Sequence, residues 1–280
     1  MSKRTLGSAW RKAWQKTVNR AARQVLRAVV PAAKKALKPV SVKSRTSAGT
    51  SAGTSARPTA GQGRWITGTA AGPGGARIFQ LFKPPGVLRG ERLPVLVMLH
   101  GCGQDVDGFA RSTRMNRIAV RERFLVLYPE QSRIANPHRC WNWFETESGR
   151  AQAEAALIVQ AVDQACLLHG ADGARVAVAG LSAGGSMAAL LGAMHPSRFR
   201  AVAMHSGVAP GHAHNTLSAI RAMQGRATRT AAQGLTSSTA HPLPPLMVIH
   251  GKGDRVVMPD NGHAGALEWA NALGATPPLV

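Results

Sequence analysis

The first ninety residues of this chain contain no carboxylate. Glu91 is the first acidic side chain, and 18 lysines and arginines precede it. The rest of the chain sets 17 bases against 13 acids, so the formal charge of +22 belongs mostly to the N-terminal third. A charge of that size spread evenly would suggest a nucleic-acid binder. The lopsided distribution indicates instead an ordinary globular domain that carries a basic arm. Cysteine is also scarce, and three in 280 residues exclude a disulfide-dense small scaffold. No run of about 18 apolar residues occurs, so no segment reads as a membrane span. Hydrophobic residues still make up 44%, which excludes a wholly disordered chain, and the length suits one large α/β domain or two small ones.

Residues 1–38 read as a basic amphipathic helix. Leu6, Trp10, Trp14, Val18, Val25 and Val29 share one face at about 100° per residue, and Lys12, Lys16, Arg20, Arg23 and Arg27 lie opposite. Pro31 stops the periodic stretch. Such a helix is marginal alone in water, so indoles beside a basic face predict contact with a granule or an anionic membrane surface. Charge alone predicts only sequence-independent attraction to nucleic acid, so no specific nucleic-acid partner is expected. The charges recur along the stretch instead of preceding an apolar core, which is not the pattern of a secretory signal. Residues 39–63 predict a flexible linker, with Ser47-Ala48-Gly49-Thr50 nearly repeated as Ser51-Ala52-Gly53-Thr54.

From residue 64 to 280 short apolar runs alternate with helical windows. A leading antiparallel hairpin is predicted over 64–70 and 77–82, around Gly72-Pro73-Gly74-Gly75. Near-continuous apolar strands follow at 94–99, 124–128, 175–179, 201–205 and 246–250, as a parallel sheet covered on both faces requires. Helices are predicted at 106–121, 151–169, 183–195 and 261–273. The alternation predicts a doubly wound, mostly parallel α/β domain, with its chemistry at the carboxyl ends of the strands.

Three loops at those ends carry candidate residues. Gly180-Leu181-Ser182-Ala183-Gly184 is a G-x-S-x-G between a strand and a helix. In that setting Ser182 reads as a nucleophile, and the Ala183 amide faces a developing oxyanion. After the strand ending at Leu99, His100-Gly101-Cys102-Gly103-Gln104 offers a second oxyanion amide from Cys102 or Gly103, with Cys102 favoured. His100 reads as a loop-shaping residue, because the base comes last in the chain order of such hydrolases. After the last apolar strand, Asp254 reads as the acid that holds an imidazole tautomer. Asp260 suits a helix cap better.

Together these residues resemble the poly(3-hydroxybutyrate) depolymerase-like esterase family of α/β-hydrolases, which includes feruloyl- and acetylxylan-type esterases. The resemblance covers roughly residues 75–275. It rests on Leu99-His100-Gly101-Cys102-Gly103-Gln104, Thr113-Arg114-Met115-Asn116, Tyr128-Pro129-Glu130-Gln131, Cys140-Trp141-Asn142-Trp143-Phe144, the serine pentapeptide and the stretch around Asp254. It implies a serine carboxylesterase without cofactor, acting on a small ester or a polyester, with Ser182 as nucleophile and Asp254 as acid. It also implies a Cys102–Cys140 disulfide. Members are often exported, whereas the N-terminus here lacks a signal pattern, which leaves a cytoplasmic or granule-associated location as the alternative. Trp141 and Trp143 have two readings, as walls of a substrate groove or as packing on the sheet rim. Cys166 reads as a buried small residue, and His212 with His214 lacks the further ligands that a zinc site needs, so no metal is expected.

One part of the pattern is missing. The family places its catalytic histidine in a Gly-His-Ala-Trp-Ser-Gly-like motif, one strand beyond the helix that follows the acid. Here that helix runs nearly to Val280. Gly262-His263-Ala264-Gly265 lies only nine residues after Asp254, inside the predicted helix, so His263 reads as a surface residue. His205 ends a strand beside the serine but falls in the wrong chain order. The expectation is therefore an esterase chain truncated before its last strand and its histidine. The alternative is a vestigial hydrolase whose basic helix binds a granule or membrane.

Overall fold

The computed structural model describes residues 63–226 and 241–275. The basic helix expected over 1–38 and nearly all of the linker expected over 39–63 lie outside the described residues. Gly72 and Gly75 close a hairpin that joins β1 (Arg64–Gly72) to β2 (Gly75–Lys83). The remaining strands are β3 (Leu93–Leu99), β4 (Leu125–Pro129), β5 (Ala171–Leu181), β6 (Ala201–His205) and β7 (Leu246–Ile249). They form one sheet in the order β1-β2-β4-β3-β5-β6-β7. The β1–β2 and β2–β4 pairs are antiparallel, and all the others are parallel.

Helices fill the crossovers, as parallel neighbours require. They are α1 (Val106–Thr113), α2 (Met115–Glu122), α3 (Arg150–Leu168), α4 (Ala183–Met194), α5 (Thr216–Met223) and α6 (Asp260–Ala272). The single helix expected over 106–121 is two helices. Arg114 takes a left-handed φ of 54°, ending α1 and opening α2, which breaks the amide ladder between them. Helix α5, capped by a reciprocal Asn215–Ser218 box, had no counterpart among the expected elements. Strand β5 begins four residues earlier than expected, through an irregular pairing of Leu93 with Ala171.

The apolar core lies mainly on the face covered by α3 and α4. There Phe79, Leu81, Val97, Leu127, Val178 and Met204 meet Ile158, Val162, Met187 and Leu191. On the opposite face α1 and α2 cover Phe82, Met98, Val126 and Tyr128. That cover does not extend to the β7 edge, where Met247 is 60% and Ile249 46% exposed. Strands β3, β4, β5, β6 and β7 all deliver their carboxyl ends to one side of the sheet, and that side collects the candidate residues.

Candidate active site

Ser182 stands between β5 and α4 with φ 56° and ψ −120°, a conformation that L-residues rarely adopt. Its amide donates to His205 O at 2.8 Å, and its carbonyl accepts from Ser186 N at 3.0 Å, so the strained turn is held from both sides. The flanking glycines are a steric necessity. A Cβ on Gly180 would meet Gly184 O at 2.1 Å, and one on Gly184 would meet Leu99 O at 2.2 Å. The elbow therefore presses directly against the end of β3, from which the second loop departs. Ser182 is half-buried, and Ala183 is buried in the first turn of α4, where amides have no partner within the helix.

The second loop is tied down at almost every residue. His100 is buried, its Nδ1 lies 2.8 Å from Gly101 O, and its Nε2 accepts from Gln131 N at 3.1 Å. Gly101 N donates to Gln104 Oε1 at 2.8 Å, and Gly103 N donates to His138 O at 2.8 Å. The Gly103 amide is thus taken, so of the two donors left open by the sequence Cys102 is the one remaining. The disulfide expected from the resemblance is present and joins Cys102 to Cys140. Both bonds fix this loop onto residues 138–140.

Beneath it lies a buried polar cluster that nothing in the sequence reading anticipated. Glu154 of α3 accepts from Gln131 Nε2 at 2.7 Å, from Asn142 Nδ2 at 2.7 Å and from Asn142 N at 2.9 Å. Arg77 of β2 pairs with the same carboxylate at 3.5 Å and also donates to Gln131 Oε1. Burial pulls the Arg77 guanidinium down from its usual range, and the Glu154 charge opposes that shift. Gln131 Nε2 also donates to Cys140 O at 3.0 Å, so the cluster reaches the disulfide. A signal was available: Glu154 shares a helix stripe with Ala151, Ala155, Ile158 and Val162, where an acid needs partners.

Trp141 is fully buried, and this corrects the groove reading at that position. Its Nε1 donates to His100 O at 3.0 Å, and its ring lies under the Arg77 guanidinium, 5.5 Å from the centroid. Trp143 is buried too, edge-on to Phe144. Both indoles therefore take the packing role and shape the site from behind.

Burial is the main cause that lowers the His100 pKa to about 4, with the Gly101 carbonyl opposing it. The folded ring is neutral at pH 7, whereas the unfolded chain protonates near 6.5. The stabilisation is complete above that unfolded value and is lost as pH falls towards about 4, because the unfolded state then binds the extra proton. The loss is expected to reach about 3 kcal/mol. Urea unfolding between pH 7 and 4.5 reads the loss, and NMR titration assigns it. A His100 ring that protonates near its ordinary value contradicts the expectation.

Asp254 sits in the turn after β7. Its Oδ1 accepts from Val256 N at 2.9 Å and Val257 N at 3.1 Å, which leaves Oδ2 for another partner. His250 Nε2 is 3.6 Å from Oδ2, too far for a hydrogen bond, and bonds Val257 O at 2.9 Å instead. His263 is exposed on α6, as expected, whereas Pro259 is the N-cap and Asp260 only the first helical residue, with no side-chain cap bond, which corrects the cap reading of Asp260. His205 is exposed at the end of β6. His212 is buried with its Nε2 2.7 Å from Glu268 Oε2, and His214 lies 3.7 Å from Glu147. Cys166 is half-buried, and burial raises its thiol pKa.

A serine on a strained strand-to-helix turn, over a mostly parallel sheet with a leading antiparallel hairpin, defines an α/β-hydrolase. The profile of the family described as Esterase PHB depolymerase matches residues 78–269, and the chain belongs to that family. It is 32% identical over 204 residues to a poly(3-hydroxyalkanoate) depolymerase C of Paucimonas lemoignei, covering 70% of this chain and 49% of that protein. It is 29% identical over 197 residues to a feruloyl esterase B of Thermothelomyces thermophilus, covering 65% and 66% of the two chains. The matched region thus spans about half to two thirds of these relatives. The solved acetyl xylan esterase from Aspergillus awamori has the same fold, with a TM-score of 0.60 at 21% identity over 76% of this chain and 81% of that one.

Proposed function

We propose that the chain is a serine carboxylesterase that cleaves ester bonds of a polyhydroxyalkanoate-type polyester or a related small ester. Ser182 Oγ attacks the carbonyl carbon, and the amides of Cys102 and Ala183 receive the charge that develops on its oxygen. Asp254 orients, through Oδ2, a histidine that takes the serine proton and returns it to the leaving alcohol. That histidine is not among the described residues. The observation that carries this reading is the strained Ser182 turn, pressed against the loop whose Cys102 amide is left unspent. The names of the relatives support ester hydrolysis and extend to polyesters.

A fluorophosphonate probe is expected to label Ser182 and no other residue. Added imidazole is expected to raise p-nitrophenyl butyrate cleavage by the wild type, above the solution background, and to leave Ser182→Ala at background. A Ser182→Ala protein as active as the wild type overturns the mechanism. The engagement of His100, His212 and His250 with other partners favours a second reading, a non-catalytic hydrolase domain whose residues 1–38 bind a granule or anionic membrane. Absence of both labelling and imidazole response selects it.

A further inference from the structure

The opposite side of the sheet, where the parallel strands begin, is a basic surface. Lys83 Nζ donates to His169 O at 3.3 Å and Arg92 to Ala171 O at 3.5 Å. Arg200 donates to Ala174 O at 2.8 Å, and Arg175 to Arg92 O at 3.1 Å. Three of these cations therefore bond to a single stretch, residues 169–174, and Arg175 joins them through Arg92. Burial, then Lys83 and Arg64, lowers the pKa of His169, which places Arg64 in the same field. The nearby acids are already spent, Asp172 on Arg175 at 2.6 Å and Glu91 on Arg123 at 2.7 Å. Among the described residues, Arg64 and Arg200 have no carboxylate salt bridge, and Arg92 shares Asp172 only through the field that also comes from Arg175.

Apolar side chains stand in the same place. Leu167 is 82% and Leu168 64% exposed at the end of α3, directly before His169. Leu88 is 74% exposed in the loop whose Glu91 carbonyl borders Gly170. Leucines of this size, bare beside unpaired cations, match a lipid interface, where headgroups take the charge and acyl chains the leucines. A nucleic acid would satisfy the cations and leave the leucines in water.

We propose that this end of the hydrolase domain is itself a docking surface for an anionic phospholipid bilayer, independent of the catalytic reading. The full chain is expected to co-sediment with phosphatidylcholine vesicles holding roughly 30% phosphatidylglycerol, and not with phosphatidylcholine alone. Leu167→Gln/Leu168→Gln and Arg92→Gln/Arg200→Gln are each expected to weaken that binding about five-fold or more, while the control Arg133→Gln/Lys252→Gln, exposed at the serine end, changes it less than about two-fold. Equal effects from the two charge-matched pairs, an unchanged leucine variant, or binding to duplex DNA but not to vesicles each overturn the proposal.

Discussion

Glu154→Ala is expected to lose about 3–5 kcal/mol of folding stability, because it leaves the Arg77 guanidinium buried without its counter-charge. The carboxylate also satisfies the backbone and side chain of Asn142 and the amide of Gln131, so three further donors lose their acceptor together. Glu154→Gln keeps the shape but turns one acceptor into a donor facing these N–H groups, and an intermediate loss is expected. Replacing both members of the pair, as in Arg77→Met/Glu154→Leu, is expected to recover most of the stability. Urea unfolding of the three variants is the measurement. A double variant no more stable than Glu154→Ala assigns the loss to the hydrogen bonds instead of the ion pair.

Gly184→Ala is expected to be comparably severe and to silence Ser182 as well. Its methyl group would stand 2.2 Å from Leu99 O and 2.6 Å from His100 O, both backbone atoms that cannot move alone. Either the elbow lifts from β3 or the loop bearing Cys102 is displaced. A destabilisation of about 3 kcal/mol is expected from overpacking of this kind, with fluorophosphonate labelling of Ser182 lost even in the fraction that folds. Gly251→Ala is the control. No atom lies within 4 Å of its Cβ position, and its stability is expected to change by less than about 0.5 kcal/mol. Normal labelling of a folded Gly184→Ala protein would show that the close approach is incidental.

The elbow was legible because steric constraint writes itself locally. Gly180 and Gly184 are the only residue type that fits, and they sit two positions either side of the serine. The apolar strands were legible for a similar reason, since burial on both faces leaves continuous runs such as Val95–Leu99 and Leu125–Tyr128. The Arg77–Glu154 pair was not, because its members are 77 positions apart and meet only once β2 and α3 have packed. The same holds for Trp141. Its neighbours in sequence suggest a loop at the rim, whereas its partners come from the loop after β3 (His100) and from β2 (Arg77). Arg114 shows the converse case, a single left-handed residue inside an unbroken amphipathic pattern, which periodicity cannot register.

The two proposals fall at opposite ends of the sheet, and that opposition would limit what a docked molecule can reach. Ser182, Cys102 and Asp254 all follow the carboxyl ends of strands, while Arg92, Leu168 and Arg200 precede the amino ends. If both proposals hold, a domain resting on its leucines would turn its serine end towards the solvent. It would not erode the support it stands on, so its ester would arrive by diffusion or be presented from across a gap. A polyester cleaved in that orientation would belong to a different body from the one that holds the domain.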